Sequence, residues 1–198
     1  MSIHRGVRIG FTGAGGTGKT TSAEYIAKEL NLPTFKSASR LVYESKGLTE
    51  EKVFNEFSNN QKLALQMEIF ETKIKLDNAF SYVTDRTLLD HYAYCLAYCG
   101  GFMTNEQFQK FDEKVQIAMR STYTHIFYFP WGFWFNPPDK GQGDRVRRDL
   151  MSWQSQIDSI ILGHLNRWSI PAIVVPQTQG PEVRNKFIKK MILGEEQN

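Results

Sequence analysis

The chain has 198 residues, a formal net charge of 24 − 21 = +3, and 41% hydrophobic and 13% aromatic residues. That length suits one domain able to bury roughly 70% of the surface its unfolded chain exposes, and the composition excludes global disorder. Mild positive charge permits an acidic ligand without amounting to a nucleic-acid platform.

Arg8–Thr12 reads as a short strand running into a glycine-rich turn. A helix follows from about Lys19 to Leu30, with Ala23, Ile26, Ala27 and Leu30 at helical spacing, and Asn31-Leu32-Pro33 stops it. A brief second strand at Thr34–Phe35 leads into a loop over 36–40. Leu63, Met67, Phe70 and Ile74 mark a long amphipathic helix. Phe80–Thr84 is a third strand ending at Asp85. A helix covers about Leu88 to Cys99, with Gly100-Gly101 as its terminator. Cys95 and Cys99 share one face of it and read as buried free thiols, which implies a reducing compartment. A further helix runs from about Asn105 to Arg120, with Phe108, Phe111, Val115 and Met119 inward. His125–Phe129 is strand four. Leu150 to Trp168 is a long helix, Ala172–Val175 strand five, and Glu182–Leu193 the last helix. The alternation predicts one doubly wound α/β domain with a five-stranded parallel sheet. Residues 131–149 are read as a mobile flap. No stretch is long enough for a membrane span and no secretory pattern opens the chain, so a cytoplasmic protein away from membranes is expected. No protein partner can be named from the sequence.

The strongest signal is Gly13-Ala14-Gly15-Gly16-Thr17-Gly18-Lys19-Thr20, a complete phosphate-loop pattern between a strand and a helix. Small residues let backbone N–H groups curl around phosphate oxygens. Lys19 is expected on the β- and γ-phosphates and Thr20 on Mg²⁺, with Thr21 next to them at the start of the helix. A dinucleotide-binding reading of the same glycines leaves Lys19-Thr20 unexplained, and no acidic residue closes the second strand. No guanine-reading Asn-Lys-x-Asp occurs. A compact phosphotransferase remains, with an ATP-gated regulatory module as its rival.

Asp85, at the carboxyl end of strand three, is expected to act on the acceptor hydroxyl or to organise Mg²⁺ and its water. Arg86 is a candidate for an acceptor phosphate or the transferring phosphoryl group. Asp90, His91 and Tyr94 continue this tract and are candidates to line an acceptor pocket, as are Ser37 and Arg40 after strand two. Ser37 and Ser39 can equally cap a following helix. Lys140–Arg148 holds four basic residues and one acidic; Arg145 and Arg148 are candidates for the transferring phosphoryl group, and Arg147 for substrate. Trp131 and Trp134 stand in an aromatic segment that either packs on the following helix or stacks on an acceptor base.

These motifs together resemble the small AAA-type P-loop kinase-like family that includes the ribosylnicotinamide kinase domain of the bacterial NAD repressor and the 5-hydroxymethyluridine DNA kinases of phages. The carriers are Gly13–Thr20, Asp85-Arg86…Leu89-Asp90…Ala93-Tyr94, Arg145…Arg148, and Pro176-Gln177-Thr178-Gln179-Gly180. The resemblance implies strand order 2-3-1-4-5, Mg-ATP as donor, Gln177 and Thr178 beside the donor adenine, and an acceptor pocket between Ser37–Arg40 and Asp85–Tyr94. It favours the hydroxymethyl group of 5-hydroxymethyluridine in phage DNA as acceptor, in a host cytoplasm, with a free nucleoside or deoxynucleotide as the alternative.

Overall fold

A computed structural model describes residues 6–35, 37–132, 151–177 and 180–194. The central strand β1 (Arg8–Thr12) pairs in parallel with β2 (Tyr82–Thr84) on one side and β3 (His125–Tyr128) on the other. Outside β3 lies β4 (Ile173–Val174), giving the order β2-β1-β3-β4. Among the described residues four strands stand where five were expected. The expected second strand contracts to a single parallel bridge between Thr34 and Val83, flanked by the hydrogen bond from Val83 N–H to the Pro33 carbonyl. Pro33 has no N–H to donate, so a regular ladder cannot run through it.

Around the sheet lie α1 (Lys19–Leu30), α2 (Ala38–Lys46), α3 (Glu50–Glu56), α4 (Asn59–Leu76), α5 (Leu88–Cys99), α6 (Asn105–Thr122), α7 (Met151–Arg167) and α8 (Pro181–Leu193). The loop expected over 36–40 is helical from Ala38 onward, with Ser37 at its N-cap position. Two helices between Ala38 and Glu56 pack Ala38, Val42 and Val53 against Leu65 and Ile69 of α4. Gly100-Gly101 does not stop α5 in the left-handed conformation. Gly100 keeps right-handed helical angles and a 3₁₀ turn over Gly100–Phe102 follows. The next cap is Thr104, whose side chain accepts from Gln107 N–H.

Strand alternation divides the core into two layers. Ile9, Phe11, Val83, Phe127 and Phe129 face α1 and α8. Tyr82, Ile126 and Tyr128 face the opposite layer with Leu88, Leu89, Tyr92 and the buried residues of α6 and α7. Cys95 and Cys99 are buried free thiols in that second layer. Among the described residues no helix is long and apolar enough to cross a membrane. The carboxyl ends of β1, β2 and β3 open toward one edge, where parallel sheets collect their ligands.

Candidate active site

The turn after β1 is shaped by backbone. Gly13 takes φ +142°, and a Cβ there would stand 2.3 Å from the Phe129 carbonyl oxygen, so only glycine fits. Helix α1 begins at Lys19 immediately behind the loop, directing its unpaired N–H groups and positive dipole end toward it. The Lys19 ammonium is buried and folded back on the loop, donating to the carbonyls of Gly13 (2.6 Å) and Ala14 (2.5 Å) and to Thr17 Oγ1 (3.2 Å). Burial pulls its pKa down to about 8, against the opposing pull of Asp90. It therefore remains an ammonium at neutral pH, available to a polyphosphate. The loop combines glycine-lined N–H groups, a helix N-terminus and a cation, which is an anion receptor.

Thr20, exposed at the start of α1, donates its hydroxyl hydrogen to Asp85 Oδ2 at 2.9 Å, joining the phosphate loop to the end of β2. A hydroxyl and a carboxylate side by side suit a hard cation that takes its remaining oxygens from phosphates and water. Thr20 and Asp85 thus fit Mg²⁺, which supplies charge neutralisation when bound to the phosphates. No cluster of three His, Cys, Asp or Glu side chains suited to a metal occurs among the described residues. Thr21 is exposed one residue further along α1.

Arg86 lies with its guanidinium 4.9 Å from the centre of the Tyr94 ring. Burial works against its charge, but Tyr94, Asp90 and Asp85 outweigh that effect, so it stays charged. Its Nη1 is buried and has no hydrogen-bond partner. Tyr94 stacks on Tyr98 (6.4 Å between centroids), and Tyr98 meets Trp153 of α7 at 4.9 Å, extending an aromatic wall away from Arg86. His91 is buried with an unpartnered Nε2. Burial, then Lys73 and Arg86, push its pKa well below the ordinary value, so the ring is neutral.

Asp90 differs from the expectation that it faces an acceptor. It is fully buried, and its oxygens accept from Gly13 N–H (3.2 Å), Thr87 N–H (2.8 Å) and the Thr87 hydroxyl (2.8 Å). Thr87 and Asp90 form the capping box of α5, and the same carboxylate ties that helix to the phosphate loop. Ser37 and Ser39 hydrogen-bond to each other at 2.8 Å, and Arg40 is exposed on the first turn of α2. Neither Ser37 nor Arg40 hydrogen-bonds to the Asp85 cluster. Arg145, Arg147, Arg148, Trp134 and Thr178 lie outside the described residues, as does the flap from residue 133 onward.

Trp131 packs against the core that contains Ile157 and Ile161 of α7, the packing alternative for the aromatic segment. With Phe129 and Pro130 it lines a cleft whose other walls are Gly16–Gly18, Val175–Gln177 and Arg184. Its backbone N–H donates to Asp158 Oδ1 at 3.2 Å, and its buried indole Nε1 has no hydrogen-bond partner. Gln177, expected beside the donor base, borders this cleft from the loop after β4.

Three residues here carry no motif. Arg184 of α8 donates to Ser22 Oγ (3.0 Å) and to the carbonyls of Thr17 (3.4 Å) and Gly18 (3.5 Å), and lies 5.6 Å from the Phe129 ring centre. Gln154 of α7 accepts from Gly15 N–H at 2.7 Å. Asp158 of α7 accepts from the Tyr128 hydroxyl (2.8 Å) as well as from Trp131. Each comes from an element remote in sequence, and only its inward placement on a helix face could have hinted at it.

A parallel sheet with a glycine-rich phosphate loop between β1 and α1, and a carboxylate at the end of the neighbouring strand, defines a P-loop nucleotide-binding protein of kinase-like fold. The chain belongs to the AAA domain family, whose model AAA_28 matches residues 8–183. It is similar in fold to deoxyadenosine kinase from M. mycoides with bound dCTP, at TM-score 0.70 and 15% identity over 95% of this chain and 100% of that one. The NadR protein in complex with NR is similar at TM-score 0.66 and 12% identity, over 97% of this chain and 52% of that one. Shikimate kinase from Aquifex aeolicus vf5 gives 0.59 and 18%, over 95% and 97%. No curated protein sequence gives a significant match. ATP-dependent phosphotransfer is the activity that family, fold and loop jointly support.

Proposed function

We propose that the protein is an ATP-dependent kinase that moves the γ-phosphate to a hydroxyl of a nucleoside-like acceptor, a free nucleoside or deoxynucleotide in preference to DNA. The observation that carries this reading is the Thr20–Asp85 contact beside a guanidinium nitrogen of Arg86 that is buried and unpartnered. An orphaned charged donor is costly unless a ligand satisfies it. An acceptor oxygen or the transferring phosphoryl group is the natural partner next to a phosphate loop.

In this reading Lys19 leaves its loop carbonyls for the β- and γ-phosphates, as a polyphosphate offers it stronger charged acceptors. Thr20 and Asp85 hold Mg²⁺, whose charge offsets that of the phosphates. The 2.9 Å contact with Thr20 favours this metal-organising role for Asp85 over direct action on the acceptor. Arg86 steadies the oxygens between donor and acceptor, and the Tyr94–Tyr98–Trp153 wall offers flat apolar surface to a base. The donor base lies in the cleft between Arg184, Trp131 and Gln177.

The hydroxymethyl group of 5-hydroxymethyluridine in DNA is the second acceptor. Of the groups that would serve a DNA acceptor, Trp131 borders the cleft beside Gly16–Gly18, and Trp134, Arg145, Arg147 and Arg148 lie outside the described residues. Transfer from γ-labelled ATP to deoxynucleosides, deoxynucleoside monophosphates, modified DNA and unmodified DNA tests the proposal. Label on a free nucleoside or nucleotide is expected. Label confined to modified DNA would reverse the preference, and label on none of the four would overturn the kinase reading.

A further inference from the structure

Behind the Asp85–Arg86 tract lies a polar cluster inside the core. Lys73 of α4 donates to Asp77 Oδ1 at 2.5 Å and to Thr84 Oγ1 at 2.8 Å, and both charged side chains are almost fully buried. Thr84 passes its own hydroxyl hydrogen to the Arg86 carbonyl at 3.1 Å. On the other side of the carboxylate, the Tyr123 hydroxyl donates to Asp77 Oδ2 at 2.5 Å and accepts from Leu88 N–H at 2.9 Å. The Tyr82 hydroxyl donates to the Asp77 carbonyl at 3.1 Å. One carboxylate therefore reaches both ends of the 84–88 segment, through Lys73 and Thr84 to Arg86 and through Tyr123 to Leu88. Asp85 lies between Thr84 and Leu88, the two residues held by Lys73 and Tyr123.

An independent observation concerns Gly10 in the middle of β1. A Cβ at that position would stand 2.7 Å from Thr87 Cγ2 and 2.9 Å from Tyr123 Cδ1. The strand omits a side chain where the Tyr123 ring crosses toward Asp77. The sheet centre thus gives up packing to let the cluster reach the 84–88 turn.

We propose that Lys73, Asp77 and Tyr123 are positioning residues that clamp the 84–88 segment and thereby hold Asp85 against Thr20. The proposal rests on the kinase reading for its consequence and on hydrogen bonding alone for its mechanism. Stability does not explain the cluster. Burial drives Lys73 and Asp77 each toward its neutral form, opposed by their mutual contact and hydrogen bonds and, for Lys73, by the more distant Asp85 and Asp90. Apolar replacement of such a pair is often neutral or stabilising. A rigid polar network, by contrast, fixes geometry.

The test pairs the Lys73→Met/Asp77→Leu double variant with Tyr123→Phe. Thermal unfolding, amide exchange over 84–88, turnover and its Mg²⁺ dependence are measured for both. The double variant should fold with a melting temperature close to that of the parent, and its 84–88 amides should exchange faster. Misplacing Asp85 should lower turnover about tenfold or more and raise the Mg²⁺ needed for half-maximal rate, with Mg²⁺-free ATP affinity unchanged to within about twofold. Tyr123→Phe should shift the same readouts less far. A folded double variant with parental exchange and turnover would overturn the clamp. Should the double variant not fold, parental exchange and turnover in Tyr123→Phe would overturn it instead. A parent protein that transfers phosphate to no acceptor would refute the kinase reading, and amide exchange would then decide the clamp alone.

Discussion

The phosphate loop is assembled from consecutive residues and main chain, whereas the Asp85–Arg86 turn opposite it is braced by side chains that converge from distant parts of the chain. In the loop and the first turn of α1, the eight residues Gly13–Thr20 supply the N–H groups, the cation and the hydroxyl in one run. On the other side, Asp85 and Arg86 lie on a short turn whose position depends on residues 73, 77 and 123. Phosphate looks the same in every nucleotide, and a local motif suffices to bind it. An acceptor hydroxyl must be set at one distance from one phosphorus atom, which calls for support from several elements.

The largest effect that would separate the two sides is loss of the donor cation. Lys19→Ala is expected to lower turnover by about 100-fold or more. Its melting temperature should fall less than that of Asp90→Ala, since relief of the buried ammonium offsets the hydrogen bonds lost to the Gly13 and Ala14 carbonyls. Steady-state kinetics and thermal unfolding check both parts, and a coupled loss of folding would break the distinction. Next comes the contact that joins the two sides. Asp90→Ala strips acceptors from Gly13 N–H and Thr87 N–H inside the protein and should cost about 2–4 kcal/mol of stability. Denaturant unfolding measures this, and a near-neutral result would show that the two sides are not coupled through Asp90.

Smaller effects are expected where helices α7 and α8 touch the phosphate loop. Arg184→Ala removes hydrogen bonds to Ser22, Thr17 and Gly18 and a wall of the cleft beside Gln177. It should weaken ATP binding about fivefold, the equivalent of about 1 kcal/mol. Calorimetric titration with ATP reads that change, and turnover at saturating ATP should hardly move. Smallest is Gln154→Ala, which removes the acceptor of Gly15 N–H. About a threefold change in ATP affinity is expected, in the range of one ordinary hydrogen bond. An effect larger than that of Arg184→Ala would place more of the donor site on α7 than the contacts imply.

The same contrast governs what can be read from the sequence. The phosphate loop is legible because its residues are adjacent and their spacing is dictated by the phosphate itself. Most long helices are legible from their apolar period, as Leu63, Phe70, Phe111, Val115 and Met119 show by their burial. Asp90 reads as an acceptor-pocket residue from its place after Asp85-Arg86, although Thr87-x-x-Asp90 is itself a capping-box pattern ahead of an apolar run. Lys73 and Asp77 are four apart on a helix and look like any solvent-facing ion pair. Nothing local reveals that β2 covers them, or that Tyr123 arrives from 46 residues beyond Asp77. Trp131 reads as either a packing or a stacking residue from its aromatic neighbours, and it packs on the core shared with α7, with its backbone N–H on Asp158. The second strand failed to form as a ladder for a reason visible in the chain, since Pro33 lacks the donor that pairing needs.

In the proposed reaction the phosphate loop and the Asp85–Arg86 turn act together across the Thr20–Asp85 contact. Single-turnover transfer of the ATP γ-phosphate by Asp85→Asn, with nucleotide affinity measured on the same samples with and without Mg²⁺, tests it most directly. Transfer should slow by about 100-fold or more. Affinity for ATP should fall in the presence of Mg²⁺ and stay at the parental value in its absence. Parental transfer rates with parental Mg²⁺ dependence would contradict the account, because Asp85 would then lie outside the reaction it is argued to organise.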